Sequence, residues 1–221
     1  MASSPSDLTD ELCLPFLRAL PIDGVSICVV GAGRAGSTVC ASDDTAARID
    51  EVQFSLGEGP RWEVFRTGEA AIIPDFPADD HSRWPMFGAH VSMLSVGALF
   101  AFPLVFGAAV VGVVDMFRQA VGGFDPVQSG TAQFLANEAA PHAVRRATMS
   151  VQREWTMPAG IAPEMRREVQ QAAGMILVQL DTTASEALIR LRAHAFASNQ
   201  TILQVAKMVI TRRLDFRDVP D

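Results

Sequence analysis

Two apolar segments decide the fold of the first half of this chain: Ser95-Val-Gly-Ala-Leu-Phe-Ala-Phe-Pro-Leu104 and Ala109-Val-Val-Gly-Val-Val-Asp-Met-Phe117. No charged residue lies within Val91–Val114, a run long enough to cross a bilayer as a helix. Pro103 and Gly107 interrupt this run, and proline costs about 3 kcal/mol inside a helix. The abundance of Val, Phe and Gly favours two buried strands that turn near Gly107. We therefore predict a β-hairpin and no membrane span.

Helical and strand-like patterns surround the predicted hairpin. Val25–Val30 and Ser37–Ser42 alternate as strands do, and Asp44–Thr67 is helical apart from a break at Gly57–Pro60. Asp125 followed by Pro126 is typical of the start of a helix, with Asp125 as the N-cap. Helices mixed with antiparallel strands predict an α+β fold, in which an antiparallel sheet is covered by helices.

A segment rich in proline and glycine, Met157–Pro163, indicates a domain boundary. We predict a front domain over residues 1–157, a linker over 158–163 and a back domain over 164–221.

The back domain contains three amphipathic stretches. Two are Glu164–Leu180 and Ala184–Phe196, and the third follows a predicted N-cap at Ser198-Asn199. Thr183 and Glu186 form the T-x-x-E pattern of a capping box. Three helices of this length bury their apolar faces against one another, which predicts an all-α three-helix bundle.

The net charge of −7 is unevenly distributed. Residues 1–157 contain ten Lys and Arg against eighteen Asp and Glu, whereas residues 158–221 contain eight against seven. This distribution places any contact with a polyanion in the back domain. The polar amino end does not resemble a signal peptide, and the three cysteines form no secreted disulfide framework. We expect a soluble, cytoplasmic protein.

The segment Gly31-Ala-Gly-Arg-Ala-Gly36 matches the G-x-G-x-x-G fingerprint of dinucleotide-binding domains. That fingerprint requires a helix after the glycines, but the following residues Ser37–Ala41 are strand-like. A hairpin turn is the favoured interpretation, and a dinucleotide-dependent oxidoreductase that uses Gly31–Gly36 is the alternative.

The same hairpin brings two cysteines near each other. If Val30 faces Thr38, then Cys28 faces Cys40, and directly opposed Cβ atoms lie about 4.5–5.5 Å apart. A redox pair is one interpretation; two buried thiols that fill space are the favoured one, because cysteine is among the most buried residue types.

Other chemistry is sparse in this sequence. His81 lies beside Asp79 and Asp80, but charged loop residues are usually solvated, and no Cys/His spacing indicates zinc. We expect no metal, no cofactor and no enzymatic activity. Seven aromatic residues are candidates for the lining of a ligand cavity, or else belong to the core: Phe54, Trp62, Phe65, Trp84, Phe87, Phe100 and Phe102.

Three segments of the back domain resemble the three helices of ANTAR domains. They are Val169–Leu180, Glu186–Phe196, and Val205–Leu214 after Ser198-Asn199. The resemblance implies RNA binding, in which a dimer engages two adjacent hairpin loops and prevents a transcription terminator from forming. We therefore expect RNA hairpin loops as the partner and a homodimer as the assembly.

The front domain resembles the GAF sensor domains that are fused to ANTAR domains in actinobacteria. The residues that carry the resemblance are Leu56-Gly-Glu-Gly-Pro60, Thr67-Gly-Glu69, Pro74-Asp75, Arg83-Trp-Pro85, Ala101-Phe-Pro-Leu104 and Gly122-Gly-Phe-Asp125. This resemblance implies a sensor that binds a small molecule. The cyclic-nucleotide signature of phosphodiesterase-type members is not visible, so a cyclic nucleotide is not implied.

The chain departs from the ANTAR pattern at Gln200, where a basic residue is common, and at Ala173, where a polar residue is common. The departures weaken RNA binding or shift it onto other residues. The residues that we predict to bind RNA are Arg190, Arg192, Asn199, Gln200, Lys207, Arg212 and Arg213, of which Arg190, Lys207 and Arg213 lie off the apolar stripes and can reach phosphates.

Other functions fit the same back domain. A helix, a short turn and a second helix also describe a helix-turn-helix regulator that binds DNA, and the bundle could serve dimerisation alone.

Overall fold

The computed structural model describes residues 11–30, 36–153, 161–198 and 200–219. The chain divides into two compact units. The front unit comprises described residues up to 153, and the back unit comprises those from 161 onward. Among the described residues, every helix is too short or too polar to cross a lipid bilayer.

The front unit is built on a five-stranded antiparallel sheet in the order β2-β1-β5-β4-β3. The strands are β1 (Gly24–Val30), β2 (Gly36–Ala41), β3 (Ala71–Ile73), β4 (Ala98–Phe106) and β5 (Ala109–Arg118). Strands β4 and β5 are the hairpin predicted from the apolar run, and its turn contains Gly107 with a φ of 63°. Glycine occupies such a left-handed position without steric penalty.

Five helices cover this sheet: α1 (Leu14–Ala19), α2 (Asp44–Leu56), α3 (Pro60–Thr67), α4 (Pro85–Val91) and α5 (Pro126–Arg153). The predicted start of α5 is confirmed, because the Asp125 carboxylate accepts a hydrogen bond from the amide of Gln128 at 2.7 Å. The predicted break at Gly57–Pro60 is also confirmed, since it separates α2 from α3.

Each face of the sheet has its own core. Phe100, Phe102 and Leu104 of β4 pack with α1 and α5 in the first core. Leu99 and Ala101 of the same strand pack with α2, α3 and α4 in the second core. This division follows from the alternation of side chains along a strand.

The back unit consists of α6 (Ile161–Leu180), α7 (Ala184–Ala197) and α8 (Ile202–Ile210), followed by a 3-10 turn at Phe216–Asp218. Buried residues recur at helical spacing, as predicted: Val169, Ala172, Ala173, Ile176, Ala187, Leu188, Leu191, Ala195, Ile202, Val205, Ala206 and Val209. Each helix packs on the other two, so the three-helix arrangement is present.

Two predicted boundaries differ from the structure. Residues 161–163 of the expected linker belong to α6, and residues 158–160 lie outside the described part of the chain. The N-cap of α8 is Thr201 and was not predicted; its hydroxyl accepts from the Gln204 amide, and the Gln204 side chain accepts from the Thr201 amide. This reciprocal capping box satisfies two amide groups at the helix start.

Candidate functional site

A charged cluster lies buried in the front unit, on the face of the sheet that α2 and α3 cover. Arg61, in the first turn of α3, is fully buried. Its Nε donates to Oδ2 of Asp115 at 2.7 Å, and its Nη2 lies 2.6 Å from the same oxygen. Nη2 also forms an ion pair with Asp50 of α2. One guanidinium thus links two helices to the central strand β5.

The glycines before α3 allow the cluster to form. Gly57 ends α2 with a φ of 67°, and Gly59 has a φ of 119° directly before Pro60. A Cβ on Gly59 would lie 2.6 Å from Oε1 of Gln53. That oxygen accepts a hydrogen bond from the amide of Arg61 at 2.8 Å, while Nε2 of Gln53 donates to Asp115 at 3.0 Å. The Gly-Glu-Gly-Pro segment therefore brings the Arg61 backbone close to Gln53.

The cluster contains more acidic groups than basic groups. Burial is the largest single influence on the pKa of Arg61 and lowers it, but the nearby negative charges, Asp115 foremost, and the hydrogen bond to Asp115 together raise that pKa above its ordinary value, so Arg61 stays protonated. Glu51 follows Asp50 in α2. Burial raises the pKa of Glu51 because it penalises the charged form, and a hydrogen bond from Ser55 partly opposes this effect. Asp50 accepts a further hydrogen bond from the Thr38 hydroxyl at 2.6 Å.

Two buried polar atoms beside the cluster have neither a hydrogen-bond partner nor an ion-pair partner among the described residues. They are Oγ of Ser26 and Nη1 of Arg61. Ser26 lies on β1 directly opposite Asp115 of β5, so both atoms border the same polar region. Buried polar groups in folded proteins are nearly always satisfied by protein or by ordered water. These two atoms are therefore a free hydrogen-bond donor and a free hydroxyl group inside the front unit.

The seven predicted pocket aromatics do not line one cavity. Phe100 and Phe102 lie in the core beneath α5, where Phe100 stacks on Phe124 with ring centres 3.8 Å apart. Trp84 and Phe87 lie in the core on the opposite face, with Phe65 packed against it. Phe54 is buried in α2, and Trp62 donates its indole N–H to the Gln53 carbonyl.

The interpretation of one shared aromatic cavity is thus wrong, and the alternative interpretation, that these residues belong to the core, fits Phe54, Trp84, Phe87, Phe100 and Phe102, which are all buried. Residues two apart on a strand point to the same face of a sheet, and for Phe100 and Phe102 that face belongs to α5.

The Cys28–Cys40 redox pair, the less favoured of the two interpretations, is wrong, and the favoured interpretation of two buried free thiols holds for Cys28 but not for Cys40. The register of β1 and β2 shifts between Ile27 and Cys28: Ile27 opposes Cys40, and Cys28 opposes Thr38. Neither register, before or after this bulge, places Cys28 opposite Cys40. Cys40 is instead disulfide-bonded to Cys13, and Cys28 is a buried free thiol.

Gly36, the last residue of the dinucleotide-like segment, begins β2, which pairs antiparallel with β1. Residues 31–35 lie outside the described part. The predicted strand after the glycines is confirmed, and the helix that a dinucleotide fingerprint requires does not follow them.

An open cleft of about 640 Å³ separates α1 from α5 in the front unit. Its apolar lining includes Leu12, Phe16 and Leu135, and its rim carries charged residues of α5 such as Glu138 and Arg145. The cleft lies on the face opposite to the Arg61 cluster.

The cationic side chains predicted to bind RNA occupy two parts of the back unit. Lys207 is exposed on α8 and lies 3.8 Å from a carboxylate oxygen of Glu168. Arg212 and Arg213 are exposed in the turn after α8, where Arg212 has a φ of 57°. These three cations fall within seven residues of sequence.

The other predicted RNA-binding residues lie on and after α7. Arg190 pairs with Glu186 one turn earlier, and Arg192 is half-buried. Gln200 is exposed, and Asn199 lies outside the described residues. Sequence reasoning missed Phe196, whose side chain is 76% exposed in the last turn of α7.

Sequence reasoning also missed the Arg61 cluster. Asp115 was the available indication, because a charged residue within an otherwise apolar strand must find a buried partner. The partner could not be identified, since Arg61 lies 54 residues away in sequence.

Comparison with known proteins gives one family match. The family model described as GAF domain matches residues 2–141. No curated protein matches the sequence.

Two solved structures illustrate the likeness. A domain described as part of a two-component sensor histidine kinase from Sinorhizobium meliloti 1021 is 15% identical, with a TM-score of 0.51, over 69% of this chain and 99% of that one. The GAF domain region of a protein described as a membrane protein from Geobacter sulfurreducens PCA is 17% identical, with a TM-score of 0.51, over 63% and 92%. At these identities the likeness shows the fold alone.

Proposed function

We propose that this chain, which belongs to the GAF domain family, is a signal-responsive regulator in which the back unit binds RNA and prevents transcription termination. The front unit is a GAF sensor domain, a type typical of signalling regulators. The proposal that the back unit binds RNA rests on its ANTAR-like sequence together with the arrangement of its exposed side chains.

The observation that carries the proposal is the exposed set Lys207, Arg212 and Arg213 at α8 and the turn that follows it. Val205, Ala206 and Val209 bury the opposite stripe of α8, so the cations are kept away from the core. Lysine and arginine neutralise phosphates and release counterions, which gives nucleic-acid affinity without sequence preference. In this role the three cations hold the RNA backbone.

Recognition of unstacked bases needs a second type of contact. Phe196 exposes an aromatic face, and Gln200, four residues later, exposes an amide. Single-stranded loops are read by stacking of splayed bases on aromatic side chains and by hydrogen bonds to base edges. Phe196 and Gln200 are therefore the proposed base-contacting residues.

Within the front unit, the Arg61 cluster is the proposed place for the signal to act. Its unsatisfied Ser26 hydroxyl and Arg61 Nη1 suit a small polar molecule. Any ligand that paired with Asp50 or Asp115 would compete with Arg61, which connects α2, α3 and β5. We further propose a cytoplasmic homodimer, in which two back units engage two adjacent hairpin loops.

Binding measurements test the assignment of the back unit. The purified chain is titrated at matched salt with an RNA that carries two adjacent hairpin loops, and with duplex DNA of equal length. We expect preference for the RNA, and a loss of affinity of at least tenfold in the double variant Lys207→Gln/Arg213→Gln. The slope of log affinity against log salt should fall in magnitude by about 0.7 for each removed phosphate contact.

The matched control is Arg66→Gln, which removes an exposed arginine from α3 of the front unit and should leave affinity unchanged. Preference for duplex DNA would favour a helix-turn-helix regulator instead. Equal binding of both nucleic acids, or equal affinity in all variants, would contradict the proposal.

A further inference from the structure

The Cys13–Cys40 disulfide joins a short helix to the edge of the sheet. Cys13 directly precedes α1, and Cys40 lies in β2, the strand at one end of the strand order. Their Cα atoms are 6.3 Å apart, a usual separation for a disulfide. Both side chains are buried in the core that α5 covers. The crosslink therefore fixes the amino-terminal end of α1 against the sheet.

Few other interactions hold α1 in place. The helix has six residues, and isolated helices shorter than about 12 residues are marginal in water. Its N-cap residue, Cys13, makes no capping hydrogen bond through its side chain. Phe16 and Leu20 supply the fully buried apolar contacts, and Leu12 and Leu17 pack partly buried against the same core. Loss of the crosslink thus leaves α1 held by these apolar contacts, as far as the described residues show.

The reduced state is also compatible with the fold. Sγ of Cys13 lies 3.7 Å from the carbonyl oxygen of Val25, which can accept a weak hydrogen bond from a thiol. Cys40 remains in β2 through the backbone pairing with Ile27. After reduction the two sulfurs must move apart, and the Val25 carbonyl offers the Cys13 thiol a hydrogen-bond acceptor.

The cleft between α1 and α5 borders the disulfide. Leu12 and Pro15, on either side of Cys13 in sequence, line this cleft. Local opening of α1 would bring the disulfide into contact with solvent through the cleft. The opposite wall is α5, the last element of the front unit before the chain continues to the back unit.

We propose that Cys13 and Cys40 form a reversible thiol–disulfide exchange site that controls the attachment of α1. A dithiol reductant attacks one sulfur, forms a mixed disulfide and then closes its own disulfide. The reductant thereby loses two electrons and two protons, and Cys13 and Cys40 become thiols. Oxidation by a disulfide of the same class reverses the reaction. Release of α1 removes one wall of the cleft beside α5.

The third cysteine does not take part in this exchange. Cys28 lies beside Val113 in the β1–β5 pairing, and Val113 packs in the core on the other face of the sheet. The sheet therefore separates the Cys28 thiol from the Cys13–Cys40 pair. Because the site lies in the front unit, its redox chemistry is measured independently of RNA binding by the back unit.

Thiol counting on the full chain tests the exchange. The native protein is equilibrated with graded ratios of reduced and oxidised dithiothreitol, quenched in acid, denatured, alkylated and weighed by mass spectrometry. We expect one alkylated cysteine at the oxidising end, three at the reducing end, and return to one on reoxidation. Amide hydrogen exchange should show at least tenfold faster exchange of the Leu20 amide, which donates to the Phe16 carbonyl, in the reduced protein.

Variants separate the pair from the third cysteine. Cys40→Ser should give fast Leu20 exchange at every redox ratio, whereas the control Cys28→Ala should keep the redox-dependent change. Three thiols under all conditions would overturn the proposal, as would a disulfide that the dithiol does not reduce in the native protein. Reduction without a change at Leu20 would also overturn it. The wild-type measurements decide these outcomes even if a variant does not fold.

Discussion

Arg61 at the start of α3 and Asp115 in the middle of β5 form a buried ion pair in which two guanidinium nitrogens contact one carboxylate oxygen, at 2.7 and 2.6 Å. The pair joins residues 54 positions apart in sequence. Because Asp50 of α2 contacts the same guanidinium, Arg61 connects α2, α3 and β5 inside the front unit.

Removal of Arg61 should destabilise the front unit strongly. Arg61→Met leaves Asp50 and Asp115 buried without their cation, and breaking a buried pair in this way typically costs about 3–5 kcal/mol. Urea denaturation measures the loss in the free energy of unfolding. Arg66→Met, on the exposed side of the same helix, should change it by less than about 0.5 kcal/mol. Equal stability of the two variants would contradict the assigned role of Arg61.

Gly59 should tolerate no side chain. Gly59→Ala puts a Cβ at a φ of 119° and 2.6 Å from Oε1 of Gln53, so either the turn or the hydrogen bond to Arg61 must change. We expect a loss of roughly 2 kcal/mol or more in the free energy of unfolding. Gly107→Ala is the control, because Gly107 also has a positive φ but no atom within 4 Å of the added Cβ. A larger loss at Gly107 would refute the steric argument.

Glu51 should make stability fall as pH rises. Burial raises its pKa in the folded protein above the ordinary value of 4.5, so the folded state binds the proton more tightly than the unfolded state does. Stability therefore decreases from pH 4.5 up to the folded pKa, and the penalty is complete above it. Glu51→Gln removes this penalty.

Urea denaturation at several pH values checks this prediction. The difference in stability between Glu51→Gln and wild type should shift in favour of the variant between pH 4 and pH 7. Glu69→Gln, at an exposed position, serves as the comparison. If the difference in the free energy of unfolding stayed constant across this pH range, burial would not raise the pKa of Glu51, and the prediction would be wrong.

Phe196 should contribute to RNA affinity and not to folding. Phe196→Ala removes an aromatic face that is 76% exposed, and base–aromatic stacking is worth about 1–3 kcal/mol per base. We expect RNA affinity to fall about 5- to 150-fold with an unchanged thermal midpoint. Ile189→Ala, which truncates a 53% exposed side chain on the same helix, should leave affinity unchanged. Equal effects of both variants would remove Phe196 from the base-contacting set.

The sequence correctly predicted helix starts and the hairpin turn, because these features depend on residues that are close together in the chain. Asp125-Pro126 starts α5, Gly107 lies in the β4–β5 turn, and Thr183 caps α7 by accepting a hydrogen bond from the Glu186 amide. Each of these features depends on the type of one or two residues and on short-range backbone geometry.

The features that the sequence did not predict depend on distant contacts or on the exact strand register. The β1–β2 register differs from the expected one, so Cys40 opposes Ile27 and not Cys28, and Cys40 is disulfide-bonded to Cys13, which lies 27 residues away in sequence. Likewise, the partner of Asp115 became identifiable only when the fold brought α3 onto β5. The expectation that the aromatic residues belong to the core fits most of them, but the sequence could not predict how they divide between the two faces of the sheet.

The most direct test of RNA-mediated regulation is crosslinking of bound transcripts in cells that express this chain, followed by sequencing of the recovered RNA. We expect enrichment of paired hairpins beside transcription terminators, and loss of that enrichment in the Lys207→Gln/Arg213→Gln variant. Recovery of RNA at background level, or of transcripts without paired hairpins, would show that the back unit does not bind RNA to prevent termination.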